Sequence, residues 1–146
     1  MPRASSPGSS SQVPPGPGTS SGPASSSGSD PRAALGRRGE DLAAQHLESQ
    51  GLVVLSRNWR CREGELDLVA TDGECLVVCE VKTRSGTGFG LPVEAVTAAK
   101  IHRIRRLAGL WLSTYRVGWC EVRFDVISVL WPPDGPARIE HVQGAF

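Results

Sequence analysis

Glu65, Asp67, Glu80 and Lys82 form a pattern with chemical consequences. They lie on two short, largely apolar runs, Glu65 to Ala70 and Cys75 to Thr83, joined by Asp72-Gly73, a dipeptide suited to the left-handed backbone of a tight hairpin turn. A loop symmetric about that dipeptide sets Ala70 against Cys75, Asp67 against Val78 and Glu65 against Glu80. Directly opposed residues share a face of a sheet, as do alternate residues along one strand. The four polar side chains then project from one side, and Leu66, Leu68, Ala70, Cys75, Val77, Cys79 and Val81 from the other. Asp67 and Glu80 become diagonal neighbours about 7 Å apart at Cβ, close enough for two carboxylates to share one hard divalent cation. Three acids converging beside one Lys repel each other without a countercharge, which bound Mg²⁺ or Mn²⁺ would supply. A Lys beside such an ion can orient an attacking water or offset charge on a phosphorane. The chemistry suggested is metal-assisted phosphodiester hydrolysis, with Asp67 and Glu80 sharing the ion, Glu65 as a further candidate ligand and Lys82 as the Lys beside them.

Fourteen of the sixteen basic residues are Arg, so the two lysines stand out. A compact, titratable ammonium is not interchangeable with a fixed guanidinium fork. Lys82 sits in the acidic cluster, and Lys100 falls inside the apolar arc of a helix. Around Lys100 stand His102, Arg103, Arg105, Arg106 and, further on, Arg116, a basic segment able to face a polyanion although the net charge is only +1. Arg84, Lys100, Arg103 and Arg106 are the candidate contacts to a nucleic-acid backbone. The plainer readings are a solvent-facing Glu80–Lys82 pair, a solvated arginine face, and a Lys100 that snorkels from the edge of its arc. Gly86, Gly88 and Gly90 follow a strand as a dinucleotide-binding turn would, but they lack the third Gly at the fingerprint spacing and an acid about 20 residues on. No nucleotide cofactor is expected.

These side chains depend on elements that can be read along the chain. Asp30 and Pro31 form a helix start, an N-cap acceptor followed by a residue suited to the first helical position, and Gly51 is a stop, giving a helix from Pro31 to about Gln50. Its small residues Gly36, Gly39 and Ala43 lie on one side beside Leu35 and Leu42, allowing close packing, and Glu40 borders that side. Leu52 to Arg60 reads as a strand ahead of the hairpin. Pro92 opens a second helix reaching about Arg116, with Val93, Val96, Thr97, Ile101, Ile104, Leu107, Ala108, Trp111 and Tyr115 on one arc. Cys120 to Trp131 is a strand closed by Pro132-Pro133, and Ala137 to Val142 is a candidate edge strand. Asp125 alternates with apolar neighbours on that strand and is expected to pair structurally with Arg. The four Trp residues are expected in the core or at an interface. The order α-β-β-β-α-β, with the candidate C-terminal edge strand, gives an α/β single domain: a mixed central sheet flanked by helices.

Composition limits the alternatives. Of the first 30 residues, 22 are Ser, Gly or Pro, too little apolar surface to offset the entropy of ordering them. Residues 1–30 are expected to be a disordered tail, and residues 31–146 one domain with a single core. The longest apolar run is the five residues Cys75 to Cys79, far short of the roughly 20 that span a bilayer, and the tail has no apolar segment of the kind a secretory signal needs. Cys61, Cys75, Cys79 and Cys120 form no C-x-x-C pair and, with His46, His102 and His141, no zinc-ligand spacing. They read as free thiols in a reducing cytoplasm.

The ordered motifs resemble a known family. Gly64-Glu65-Leu66-Asp67, twelve intervening residues and Glu80-Val81-Lys82 resemble the D-x(n)-E-x-K core of restriction-endonuclease-like nucleases. Together with Gly39-Glu40, Asn58-Trp59-Arg60, Thr83-Arg84, Pro92 to Lys100 and Arg123-Phe124-Asp125-Val126-Ile127, they look like the small bacterial YraN-like family, related in fold to Holliday-junction resolvases, over roughly Leu35 to Val129. The resemblance implies a restriction-endonuclease-like fold, Asp67 and Glu80 as metal ligands, Lys82 as the catalytic ammonium, and Glu40 on the first helix as a further acid reaching the metal. The expected activity is a Mg²⁺-dependent endodeoxyribonuclease acting on DNA, including branched or damaged DNA. The competing readings are a nucleic-acid-binding module without turnover and a protein-interaction adaptor with a vestigial acidic site. A homodimer is left open.

Overall fold

The signals that start and stop each element account for most of the architecture. In the computed structural model, which describes residues 30–86 and 96–146, helix α1 spans Pro31–Ser49. It ends before Gly51, whose φ of +91° is a conformation that side chains resist and glycine accepts. The chain then enters β1, Val53–Cys61, β2, Gly64–Thr71, and β3, Cys75–Arg84. Helix α2, Ala98–Thr114, leads to β4, Glu121–Leu130, and β5, Arg138–Val142. Pro31–Phe146 forms one compact unit. Of the expected tail only Asp30 is described, and Gly88, Gly90, Pro92 and Val93 also lie outside the described residues.

The five strands form one sheet in the order β1-β2-β3-β4-β5. Neighbours are antiparallel except β3 and β4, which run parallel. A parallel pair needs a long crossover, and α2 lies in the connection between those strands. Helix α2 covers one face through Ile104, Leu107, Ala108 and Trp111, packed with Leu66, Val69, Leu76, Val78 and Phe124. Helix α1 covers the other through Ala43, Ala44 and Leu47, packed with Leu68, Ala70, Cys79, Ile127 and Val129. The mixed sheet flanked by helices is the architecture expected from the element order, with the edge strand β5 present.

Three local expectations are corrected. The hairpin pairs Thr71 with Leu76, Ala70 with Val77, Val69 with Val78 and Leu68 with Cys79, two residues away from the register of a two-residue turn. The cause is side-chain bonding in the loop: Asp72 Oδ1 accepts the N–H groups of Glu74 and Cys75, both at 2.8 Å, and Thr71 Oγ1 donates to the Cys75 carbonyl at 2.9 Å. Second, α2 begins at Ala98 rather than at Pro92, because Thr97 caps it by accepting the Lys100 N–H at 3.2 Å. Third, Leu66 does not share a face with Leu68 and Ala70; it joins the cluster under α2, as does Val69. The break in alternation at Asp67 lies alongside Asn58, between the pairs Arg57–Leu68 and Trp59–Leu66, where β1 adopts φ of +51°. Among the tryptophans, Trp111 is buried, Trp59 and Trp131 are half-buried, and Trp119 is 91% exposed.

Candidate metal centre

The observed register changes which residues flank the acidic pair. The paired ladder runs to Leu68–Cys79, and Asp67 and Glu80 follow next along the two strands, near enough for the charge of Glu80 to act on Asp67. A shift of two residues by itself moves no side chain to the other face, because alternation has period two; the change of face at Leu66 comes from the break in alternation at Asp67. The ladder also opens here, since the Val81 N–H donates to Asp67 Oδ2 at 2.9 Å. Burial, then the charge of Glu80, and to a lesser degree those of Glu40 and Glu65, push the Asp67 carboxyl up to about 7 against the Val81 bond, which pulls it down.

Glu80 is also enclosed, with a side chain 11% exposed. Its Oε2 lies 2.6 Å from Lys100 Nζ and 3.7 Å from Lys82 Nζ, so both lysines of the chain meet at one oxygen. Lys82 and Glu80 alternate on β3, whereas Lys100 arrives from the first turn of α2. Burial and the adjacent Lys100 ammonium hold Lys82 below the usual lysine range. Burial also pulls Lys100 down, but its bonds to Glu80 and Lys82 and the attraction of Glu80 and Asp67 outweigh that, leaving it above the usual range.

Glu40 comes from the opposite layer. Gly39 lets α1 approach β3 so closely that a Cβ there would lie 1.9 Å from Thr83 Oγ1. Glu40, half-buried on the next turn position, is near enough for its charge to act on Asp67. Glu65 diverges from this group: it is exposed and pairs with Arg60 across the β1–β2 ladder, Nε to Oε1 at 3.1 Å. The candidate nucleic-acid contacts also separate. Arg84 ends β3, and its carbonyl accepts the Trp131 N–H at 2.7 Å; Arg103 is exposed on α2; Arg106 is engaged by Glu63. The sequence reading missed a cleft of about 360 Å³ lined by Arg37, Arg38, Arg57, Glu40 and Asn58 among others. The adjacency of Arg37 and Arg38 to Glu40 was its only sequence signal.

Asp67, Glu80 and Glu40 offer carboxylate oxygens, the ligand type that Mg²⁺ and Mn²⁺ accept, and a carboxyl raised by burial and by neighbouring acids is a place where a dication relieves repulsion. Among the described residues, the three donors within 4.8 Å of one another are different: Cys79, Asp125 and His141. There the cation position is already filled by protein. Asp125, fully buried, accepts from Arg123 Nε and an Arg123 terminal nitrogen at 2.9 and 2.8 Å and from the Gly144 N–H at 3.0 Å, with His141 Nε2 at 2.7 Å. His141 Nδ1 in turn meets His46 Nε2 from α1 at 3.1 Å. This is the structural Asp–Arg pairing expected for Asp125, extended by two histidines.

The family model described as Uncharacterised protein family UPF0102 matches residues 39–129. The chain belongs to this family. UPF0102 relatives include a protein of Frankia casuarinae, 60% identical over 113 residues covering 77% of this chain and 96% of the relative, and one of Frankia alni at 59%, covering 77% and 94%. The UPF0102 match begins at Gly39, beside Thr83, and takes in Glu40, Asp67, Glu80, Lys82 and Lys100. A solved Holliday junction resolvase from Archaeoglobus fulgidus aligns over 72% of this chain and 75% of its own at 17% identity and a TM-score of 0.39, a likeness too loose to carry a functional conclusion. No helix among the described residues is long and apolar enough to cross a membrane.

Proposed function

We propose that this UPF0102 protein is a metal-dependent nuclease that binds DNA and hydrolyses its phosphodiester bonds. The observation that carries the proposal is the enclosed Asp67–Glu80 pair on adjoining strands, with Lys82 3.7 Å from Glu80. Asp67, Glu80 and Glu40 would hold Mg²⁺ or Mn²⁺, which supplies Lewis-acid polarisation of a phosphate oxygen and lowers the pKa of a bound water. Lys82, its ammonium held below the usual range, places one compact donor beside the reacting phosphate. Glu40 on helix α1 would complete the centre, and the cleft it shares with Arg37, Arg38, Arg57 and the Arg57-paired Asp41 would offer Arg37 and Arg38 to the DNA backbone.

The test is single-turnover cleavage of linear, flapped and four-way DNA with Mg²⁺ or Mn²⁺, alongside equilibrium DNA binding. Lys82→Arg and Asp67→Ala are each expected to lower cleavage by on the order of 10²-fold or more, with DNA affinity little changed for Lys82→Arg because its charge is kept. The arginine fork is bulkier and holds its proton more firmly, so it cannot replace a single point donor. Full cleavage by Lys82→Arg would remove Lys82 from the chemistry. Absence of cleavage by the wild type, with DNA binding intact, would leave a binding module.

A further inference from the structure

Glu80 presents one oxygen to two ammonium groups, and the closer one does not come from its own strand. Lys100 Nζ sits 2.6 Å from Glu80 Oε2, while Lys82, two residues along the same strand, stays at 3.7 Å. Lys100 is also the residue whose backbone N–H bonds the capping Thr97 Oγ1, so its Cα is fixed in the first turn of α2 while its side chain reaches across to β3. That side chain is a third exposed, with a path outward along its four-carbon stem. An ammonium bonded to Oε2 and a dication drawing on the same carboxylate repel each other at this range.

We propose that Lys100 is a tethered countercation of the candidate centre. It neutralises Glu80 within the folded chain, yields the carboxylate when a divalent ion is bound, and is then released toward the DNA backbone. The inference rests on the metal-centre reading above and adds to it a positioning residue that couples metal loading to DNA affinity. Lys100 thus has two successive partners, first Glu80 and then a phosphate, and never holds both.

The experiment uses the full chain. Calorimetric Mn²⁺ titration of wild type, Lys100→Met, Lys100→Arg and Arg116→Met reads the first half. Lys100→Met keeps the apolar stem and loses the charge, so it should bind Mn²⁺ roughly tenfold more tightly, since the competing cation is gone. Lys100→Arg should stay within a few-fold of wild type. Arg116→Met, which removes the same charge just beyond the far end of α2, should leave affinity unchanged. The second half is the salt dependence of DNA binding with and without Ca²⁺: in the wild type the slope of log affinity against log salt should steepen by ~0.9 on adding Ca²⁺, one phosphate contact's worth, and in Lys100→Met it should not. Equal Mn²⁺ affinity in wild type and Lys100→Met overturns the proposal while leaving the metal centre standing. Lack of Mn²⁺ binding by all four proteins overturns both. Should Lys100→Met fail to melt cooperatively, Lys100→Gln makes the same comparison.

Discussion

Asp67 shows how the fold sets the chemistry of a single carboxyl. Burial and the nearby charge of Glu80 push its carboxyl up to about 7, whereas an unfolded aspartate titrates near pH 4. The folded state therefore binds more protons across that window, and stability falls as pH rises through it before levelling off above about 7. Asp67→Asn cannot ionise and still offers Oδ1 to the Val81 N–H. Its thermal midpoint is expected to exceed that of the wild type by several degrees at pH 8, with the difference closing toward pH 5. A pH-independent difference would show that Asp67 is ordinarily solvated. Strand alternation, a local rule, singles out Asp67 and Glu80 in the sequence, but the register between their strands depends on how Thr71 and Asp72 bond within the loop.

At the scale of elements, the contact that places Glu40 is helix α1 seated on β3 at Gly39. Any side chain at position 39 would meet the branched Thr83, with Oγ1, Cγ2 and Cβ at 1.9, 2.7 and 2.8 Å, and a β-branched residue on a strand has little freedom to turn away. Gly39→Ala is expected to destabilise the protein by about 1–3 kcal/mol through overpacking. Adding Thr83→Ala should recover much of that loss, so a urea-denaturation double-mutant cycle will show strong coupling. Strict additivity would mean that α1 tilts freely. The small-residue side of α1 could be read from the sequence, but its partner could not, because nothing local links position 39 to position 83. The start of α2 differs for a related reason: the sequence places Thr97 on the apolar arc of a helix opened by Pro92, whereas the structure uses Thr97 as the cap of a helix that begins at Ala98.

Across the whole molecule, the Arg123–Asp125–His141–His46 chain joins β4, β5 and α1, and the Gly144 N–H adds the C-terminal segment. Burial would push Asp125 up, but the Arg123 pair, the Gly144 N–H and His141 together hold it below the usual carboxylate range. Its contribution is therefore present above the unfolded pKa near 4 and lost as pH falls through the lower folded value. Asp125→Ala strands a guanidinium and a buried imidazole, and is expected to cost about 3–5 kcal/mol in denaturant unfolding at pH 7. A loss under 1 kcal/mol would mean that solvent reaches the network and compensates.

The sequence by itself determined whatever follows from short-range periodicity and local chemistry. That includes the element order and the structural pairing of Asp125 with an arginine, which the fold shows to be Arg123. Tertiary structure decided the rest: the departure of Glu65 to Arg60, the convergence of Lys100 on Glu80, the arginine cleft beside Glu40, and the bond between His46 and His141, 95 residues apart. Alternation fixes a side chain's face where the strand is unbroken, and at Asp67 it is broken, so Leu66 changes face. Which groups meet across strands and layers depends on loop bonding, helix starts and close helix–sheet approach, and these are settled only when the layers pack.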